Sequence, residues 1–423
     1  MVLLSSNHIF DGGGETPFAG WLGLAGSRIE KVGRGSARGQ GGGDRLVDLE
    51  GFSLLPGLID AHSHLGLVNV PPLPGVATAV IAALIFENMR LAISEGFTTV
   101  RDLGGLDGGV VEAVNRGLIE GPRILPSGPL ISESGGHGDW RHGFAHTPWE
   151  GNLPGLVQPA ALVDGVAEMR RAGRSAVRDG ATQLKVAISG GFSSSFDKLD
   201  DVQFSLEELR ALVEVAKSRH TYVTGHAHHS ESVHLGLEAG LECFEHGTFL
   251  DQEAIDAMSA HRASLVATLS VVERYQDPAQ RESLRQDLAA RAAAAFPAMS
   301  RSVEMAVAAG INVGSGSDMT GPSQHARGRE LTVRARVTNP GEAVKSATSG
   351  NAGILRLQAE TGALREGLAA DIVAVRGNPL DEPELFSDPD RVVLVVRDGH
   401  LCKNILPGQL GEAATAAFRE GPS

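Results

Sequence analysis

The sequence predicts an α/β fold: a (β/α)8 barrel of the TIM type carrying a small β-sandwich domain formed by both termini. Three observations predict it. The middle of the chain alternates short apolar runs with amphipathic helical stretches, the signature of repeated β/α units. Both ends consist instead of β-rich runs separated by turns. The polar residues that stand out fall at the C-terminal ends of the predicted strands, the rim on which barrel active sites are built. The expected boundaries are 56–362 for the barrel, with 1–55 and 363–423 joining as the sandwich.

At the N-terminal end, Gly20–Val32 alternates loosely, Gly33–Gly43 is a Gly-rich loop, and Leu46–Leu55 reads as a strand broken by Pro56-Gly57. At the other end, Ala370–Val375 and Arg391–Val396 are β-rich runs. Asp398-Gly399 supplies a hairpin turn between the latter and Leu401-Cys402-Lys403. In the middle, helices are expected over Ile85–Glu95, Leu162–Asp179, Leu206–Arg219, Ser232–Ala239, Glu253–His261 and Met299–Ala309. The strands that follow them centre on Thr98, Lys185, Val223, Phe244, Val266 and Val313. Ser205 with Glu208 three residues later forms a capping-box pattern. Asp287–Ala295, rich in Ala and bearing Arg, reads as a separate surface or lid helix.

The chain has 423 residues, 42% of them hydrophobic and 21% charged, enough for a large buried core. A net charge of −14 without any basic run argues against a nucleic-acid partner. The apolar stretch Val76–Phe86 is too short to span a bilayer, which takes about 20 residues, and no signal peptide is evident. The two cysteines, Cys243 and Cys402, have no Cys-x-x-Cys spacing; a reduced, cytoplasmic protein is expected.

The chemistry lies in a set of strand-end residues. Residues i and i+2 of a strand point the same way, so His62-Ser63-His64 aims two imidazoles at one place. Neutral imidazole is a common metal ligand, but His-x-His alone is a weak motif. His226 and His228 repeat the spacing, His246 ends Cys243-Phe244-Glu245, and Asp318 follows Asn312–Ser317. Lys185 lies within the otherwise apolar strand Gln183–Ile188. Such a lysine, kept dry beside metal ions, has a lowered pKa and offers a neutral amine. Five such positions at five predicted strand ends are far more specific than any one. His137, between Gly136 and Gly138, sits on a loop able to bring an imidazole to a substrate carbonyl or carboxylate, and Arg141 beside it could hold a carboxylate.

Pro56-Gly57-Leu58-Ile59-Asp60-Ala61-His62-Ser63-His64 resembles the opening signature of the amidohydrolase superfamily. Gly135–Asp139, Gln183–Val186, Gly225-His226-Ala227-His228, Phe244–Thr248, Gly316-Ser317-Asp318 and Glu366–Val373 resemble its imidazolonepropionase-like branch. That branch includes Xaa-Pro dipeptidases, carboxypeptidases acting on Lys or Arg dipeptides, and ochratoxin-hydrolysing amidases. The resemblance implies roles residue by residue. His62 and His64 would bind one divalent ion, with zinc the expected metal. Lys185, carboxylated by CO2, would bridge two ions. His226 and His246 would hold the second, with His228 as the alternative to His226 and otherwise facing substrate. Asp318 would bind the first ion and carry the proton, acting as general base and then acid. His137, His228 and Arg141 would bind substrate, the first two also serving catalysis. A hydroxide shared by the two ions would attack the carbonyl. One departure is His229, where the pattern has Gly; Trp140 likewise stands where Phe is common.

The expected function is hydrolysis of a small-molecule amide, most directly the bond joining an acyl group or residue to a C-terminal amino acid. The expected assembly is a homo-oligomer. Opening of a cyclic amide, cleavage of an ester or carbamate, and a non-catalytic assembly role for the fold are the alternatives. Substrate choice is assigned to three loops, Gly66–Val76, Gly138–Leu156 and Gly191–Leu199.

Overall fold

A computed structural model describes residues 1–13, 16–37, 39, 44–69, 76–141, 152–192, 194, 196–282, 286–321 and 324–419. Part of each of the three specificity loops (70–75, 142–151, 193 and 195) lies outside the described residues, as does part of the Gly33–Gly43 loop. The chain divides into two compact units, Met1–Asp60 with Met89–Thr99 and His325–Ser423, and Ala61–Asn88 with Val100–Gln324.

The first unit contains an eight-stranded sheet drawn from both ends of the sequence. Strand Phe52–Pro56 pairs antiparallel with Ile372–Arg376, which pairs with Val392–Arg397, itself antiparallel to His400–Asn404. The last two strands are joined through Asp398 (φ 48°) and Gly399 (φ 77°), the two left-handed residues that a tight Asp-Gly hairpin turn requires. The expected strand over Leu46–Leu55 is two strands, Arg45–Asp48 and Phe52–Pro56. Val2–Ile9 pairs along one edge first with Arg45–Asp48 and then with Phe52–Pro56, so the sheet divides there. Its branches bury one shared core that includes Leu4, Leu22, Leu54, Ile372 and Leu394.

The second unit holds the β/α alternation. A seven-stranded parallel sheet runs through Ala160–Leu162, Leu130–Ser132, Leu184–Ala187, Val223–His229, Cys243–Phe249, Ser264–Ala267 and Val313–Ser315. Leu58–Ser63, Phe97–Asp102 and Arg123–Pro126 make a three-stranded sheet. Backbone bonds join the two sets on both sides: Thr182 N donates to Pro126 O (2.9 Å), and Asp318 N donates to His62 O (2.7 Å). This is the closed strand order of a (β/α)8 barrel. Lys185, His226 and Glu245 are all buried in their strands, as fully two-faced burial of parallel strands demands.

The helices lie near their expected places. Leu206–Ser218 starts with the capping box, the Ser205 side chain accepting from Glu208 N and the Glu208 carboxylate accepting from Ser205 N. One expectation is corrected. Asp287–Ala295 is no separate surface helix but the first part of a 23-residue helix, Gln286–Ala308, that runs on through Pro297. Leu288, Ala292 and Ala295 are buried while Ala290, Arg291 and Ala294 are exposed, so this part of the helix packs through one face and meets solvent on the other. Among the described residues no helix is long and apolar enough to cross a membrane.

Candidate active site

The barrel strands bring seven of the singled-out side chains into one cavity: His62, His64, Lys185, His226, His228, His246 and Asp318 all line it, with His137. Two overlapping groups have ligand atoms within 4.8 Å of one another, His226–His228–His246 and His62–His246–Asp318, and His246 belongs to both. The Nε2 atoms of His62 and His64 lie 3.5 and 3.3 Å from the same Asp318 oxygen. The His226 ring is 4.6 Å from that of His228 and 4.5 Å from that of His246.

Backbone shape contributes to this convergence. His246 (φ 71°) and Asp318 (φ 51°) both occupy the left-handed region, unusual for residues with a Cβ and typical of sites where surroundings impose the conformation. The left-handed turn at His246 breaks the alternation of its strand. Neighbours Glu245 and His246 therefore both reach His62, Glu245 Oε2 at 2.7 Å from Nδ1 and the His246 ring at 4.7 Å. Gly316 must be glycine, because a Cβ there would collide with the Cβ of His62.

Outer contacts set each ring. His62 Nδ1 donates to Glu245, leaving Nε2 directed towards Asp318. His64 Nδ1 meets Gly104 O at 2.9 Å, His246 Nδ1 meets Thr268 Oγ1 at 2.9 Å, and His228 Nδ1 meets Thr248 Oγ1 at 2.8 Å. In each case an outer contact holds one ring nitrogen and so fixes the orientation of the imidazole. Glu245 is itself held by Arg101 (Nη2 to Oε1, 2.6 Å) and by the Thr224 hydroxyl. Asp102 accepts from the backbone of Leu65, Gly104 and Leu106, which fixes the turn that follows His64.

Burial and charge then set protonation. Burial lowers His226, His228 and His246 well below the usual imidazole value, and the neighbouring imidazoles and Lys185 lower them further, so all three are neutral at pH 7. Burial also pulls His64 down, but Asp318 and Asp102 more than reverse it. For Asp318, burial pushes the carboxyl up, and His62 and His64 outweigh that to bring it to about 2. Burial likewise works against ionised Glu245, yet Arg101, Lys185 and His62 hold it well below the carboxylate range. Burial raises Asp102 to about 6.

Lys185 is the most unusual member. Its side chain is 2% exposed, and among the described residues Nζ has no hydrogen-bond partner. Burial lowers the ammonium from 10.5 to about 8, against the attraction of Glu245. Between these two values the unfolded chain binds the proton more tightly than the folded one, so stability rises with pH there. Metal-free protein should therefore gain stability on Lys185Met from pH 8 to 10.5, by up to about 3 kcal/mol, in paired denaturant titrations. A difference between the two proteins that stays flat over that range would contradict the buried, depressed ammonium.

The other sequence candidates are placed as follows. His137 stacks on His226 with ring centroids 4.1 Å apart, and its Nδ1 is 3.3 Å from Ser194 Oγ and 3.7 Å from Asp197 Oδ2. Trp140 lines the cavity. Arg141 is engaged by Asp139 through Nε (2.8 Å) and Nη2 (2.5 Å), and it is not among the cavity-lining residues. His229 caps the start of helix Ser230–Ala239, with Nε2 3.5 Å from Asp201 O, and does not line the cavity either. Glu245, Arg101 and Asp102 were not singled out from sequence, nor were Phe192, Arg274 and Tyr275 on the cavity wall.

The description "Amidohydrolase family" matches residues 53–402. The chain belongs to the amidohydrolase family. Among its amidohydrolase relatives is an ochratoxinase of Aspergillus niger, 33% identical over 382 residues, which span 86% of this chain and 78% of that protein. The crystal structure of A. niger ochratoxinase superposes with a TM-score of 0.83 at 28% identity, covering 97% of each chain. A prolidase complexed with N-methylphosphonate-L-proline superposes at 0.87 with 32% identity, over 95% of this chain and 99% of the other. A Xaa-Pro dipeptidase with bound methionine in its active site gives 0.84 at 28% identity, over 95% and 99%. The barrel is thus an amidohydrolase barrel, and the chain is a hydrolase acting on amide bonds.

Proposed function

We propose that the chain is a binuclear metal-dependent amidohydrolase cleaving the amide bond of an N-acyl amino acid or dipeptide. The observation that carries this reading is Lys185: a buried amine with no hydrogen-bond partner, among imidazoles held neutral and a carboxylate held ionised. An unpartnered buried amine costs stability, so its retention calls for a function. The donor set fits two divalent ions, and its imidazoles and carboxylates suit zinc.

In this reading His62, His64 and Asp318 would hold one ion, and His226 and His246 the other. Lys185 would supply a further ligand as a carbamate, formed when the neutral amine adds to CO2 and releases a proton. His228 remains the alternative to His226, since both belong to the same three-histidine group. When bound, the ions lower the pKa of a water and polarise the scissile carbonyl. Asp318, ionised down to about pH 2, accepts the proton of the attacking water and delivers it to the leaving amine. His137 and His228 orient the substrate carbonyl or carboxylate from the cavity wall. The catalytic domain in this reading is residues 56–362, and residues 1–55 with 363–423 form the β domain. A reducing, cytoplasmic setting suits the two cysteine thiols, Cys243 and Cys402.

The test is metal removal. Dialysis against a chelator should abolish release of amine from N-acyl amino acids and dipeptides, and about two equivalents of zinc per chain should restore it. Full activity in metal-stripped protein would refute the reading.

A further inference from the structure

We propose that Arg274 binds the α-carboxylate of the substrate's leaving amino acid. The inference rests on the amide-hydrolase reading above and names the group that recognises the acidic end of the substrate.

Arg274 follows strand Ser264–Ala267 and the short helix Leu269–Glu273, so it belongs to a connection on the rim where barrel sites lie. It lines the same cavity as the histidine cluster, and its side chain is exposed, which places it at the mouth. Among the described lining residues it is the one guanidinium. The other lining cation, Lys185, is fully buried, and the lining carboxylate, Asp318, sits within the histidine cluster.

The guanidinium is oriented without being consumed. Nη2 donates to Tyr275 Oη at 2.8 Å, and Cζ lies 4.8 Å from the centroid of the Tyr275 ring. No ion pair to Arg274 occurs among the described residues. A planar fork stacked on an aromatic ring, with N–H groups to spare, matches a carboxylate in two parallel bonds. Tyr275 is in turn 5.7 Å from Phe192, and Phe192 is 5.2 Å from His228, centroid to centroid. A line of three rings therefore joins the guanidinium to the histidine cluster, along one wall that a substrate spanning from mouth to floor would follow.

Arg141 provides the contrast. Its Nε and Nη2 are both committed to Asp139, so a carboxylate would have to displace an existing ion pair.

The experiment uses zinc-loaded protein and matched pairs: N-acyl amino acids, and the same N-acyl amines lacking the carboxylate. For the wild type, kcat/KM should favour the acids by about 10- to 100-fold, the range of a charge-assisted hydrogen-bonded pair. Arg274→Met should remove that preference by slowing the acids alone. The carboxylate-free amides should stay within about twofold of wild type, Arg274→Lys should fall between, and Arg141→Met should keep the preference. Calorimetry of free amino acids against the corresponding amines should show the same selective loss in binding. The proposal is overturned if Arg274→Met slows both substrate classes equally, if it leaves the acids unchanged, or if Arg141→Met gives the acid-selective loss. Selective loss of amino-acid binding in a wild type that hydrolyses nothing in the panel would sustain Arg274 as a carboxylate site and remove the hydrolytic reading instead.

Discussion

Replacing Lys185 with methionine should lower kcat/KM for amide hydrolysis by about 10³-fold or more while leaving the barrel folded. Each 1.36 kcal/mol of lost transition-state stabilisation is tenfold in rate, and the chemistry supplied by a bound divalent ion amounts to several kcal/mol. Folding should survive because Nζ makes no hydrogen bond that the substitution would break. Methionine fills a similar volume and removes a buried ammonium that desolvation already disfavours. Bound metal, measured by elemental analysis, should fall together with activity. A Lys185Met protein that keeps both its metal and its rate would mean that the lysine is a structural cation serving Glu245 across the barrel floor.

Truncating Glu245 to alanine should have the largest effect on stability of any single change at the site, about 3–5 kcal/mol by denaturant unfolding. Arg101 is wholly buried and, among the described residues, would keep Ala61 O, the Tyr222 hydroxyl and the Cys243 thiol as partners, with no compensating carboxylate. The same change removes the Glu245 contact at His62 Nδ1, which orients that ring, and metal affinity should fall by about 10- to 100-fold. The paired change Arg101Met with Glu245Leu should recover much of the stability and none of the metal affinity. A loss below 1 kcal/mol for the single variant would show that water or a rotated neighbour compensates Arg101.

The fold was legible because its two periods differ. Alternating β/α runs in the middle and turn-punctuated β runs at the ends need no tertiary knowledge to recognise. The convergence of His62, His64, Lys185, His226, His228, His246 and Asp318 was legible for a related reason, since each is a polar residue in or just after a buried strand. Glu245 escaped notice although it interrupts an apolar strand as Lys185 does. Simple alternation sets it on the face opposite His246, and only the left-handed backbone at His246 returns both to His62. Arg101 could not be found without its partner, because two strands far apart in sequence bring it to Glu245. Arg274 stands in a short polar stretch with no pattern, and cavity geometry alone distinguishes it from the other surface arginines. For Arg141 the sequence supplied proximity to His137, while the structure supplies the competing carboxylate of Asp139.

The pairing of Phe52–Pro56 with Ile372–Arg376 also sets an order of events during synthesis. The early strand emerges from the ribosome about 300 residues before the one that completes its edge. At translation rates of roughly 5–20 residues per second, that edge waits for about 15–60 s. Val2–Ile9 and its hairpin neighbour Phe18–Ala25 can pair at once, whereas one flank of Phe52–Pro56 stays open until late. An unpaired, apolar strand edge invites pairing with other chains. The nascent protein is therefore most vulnerable to aggregation while its barrel is being made, and the last hundred residues close the sheet that the first sixty began.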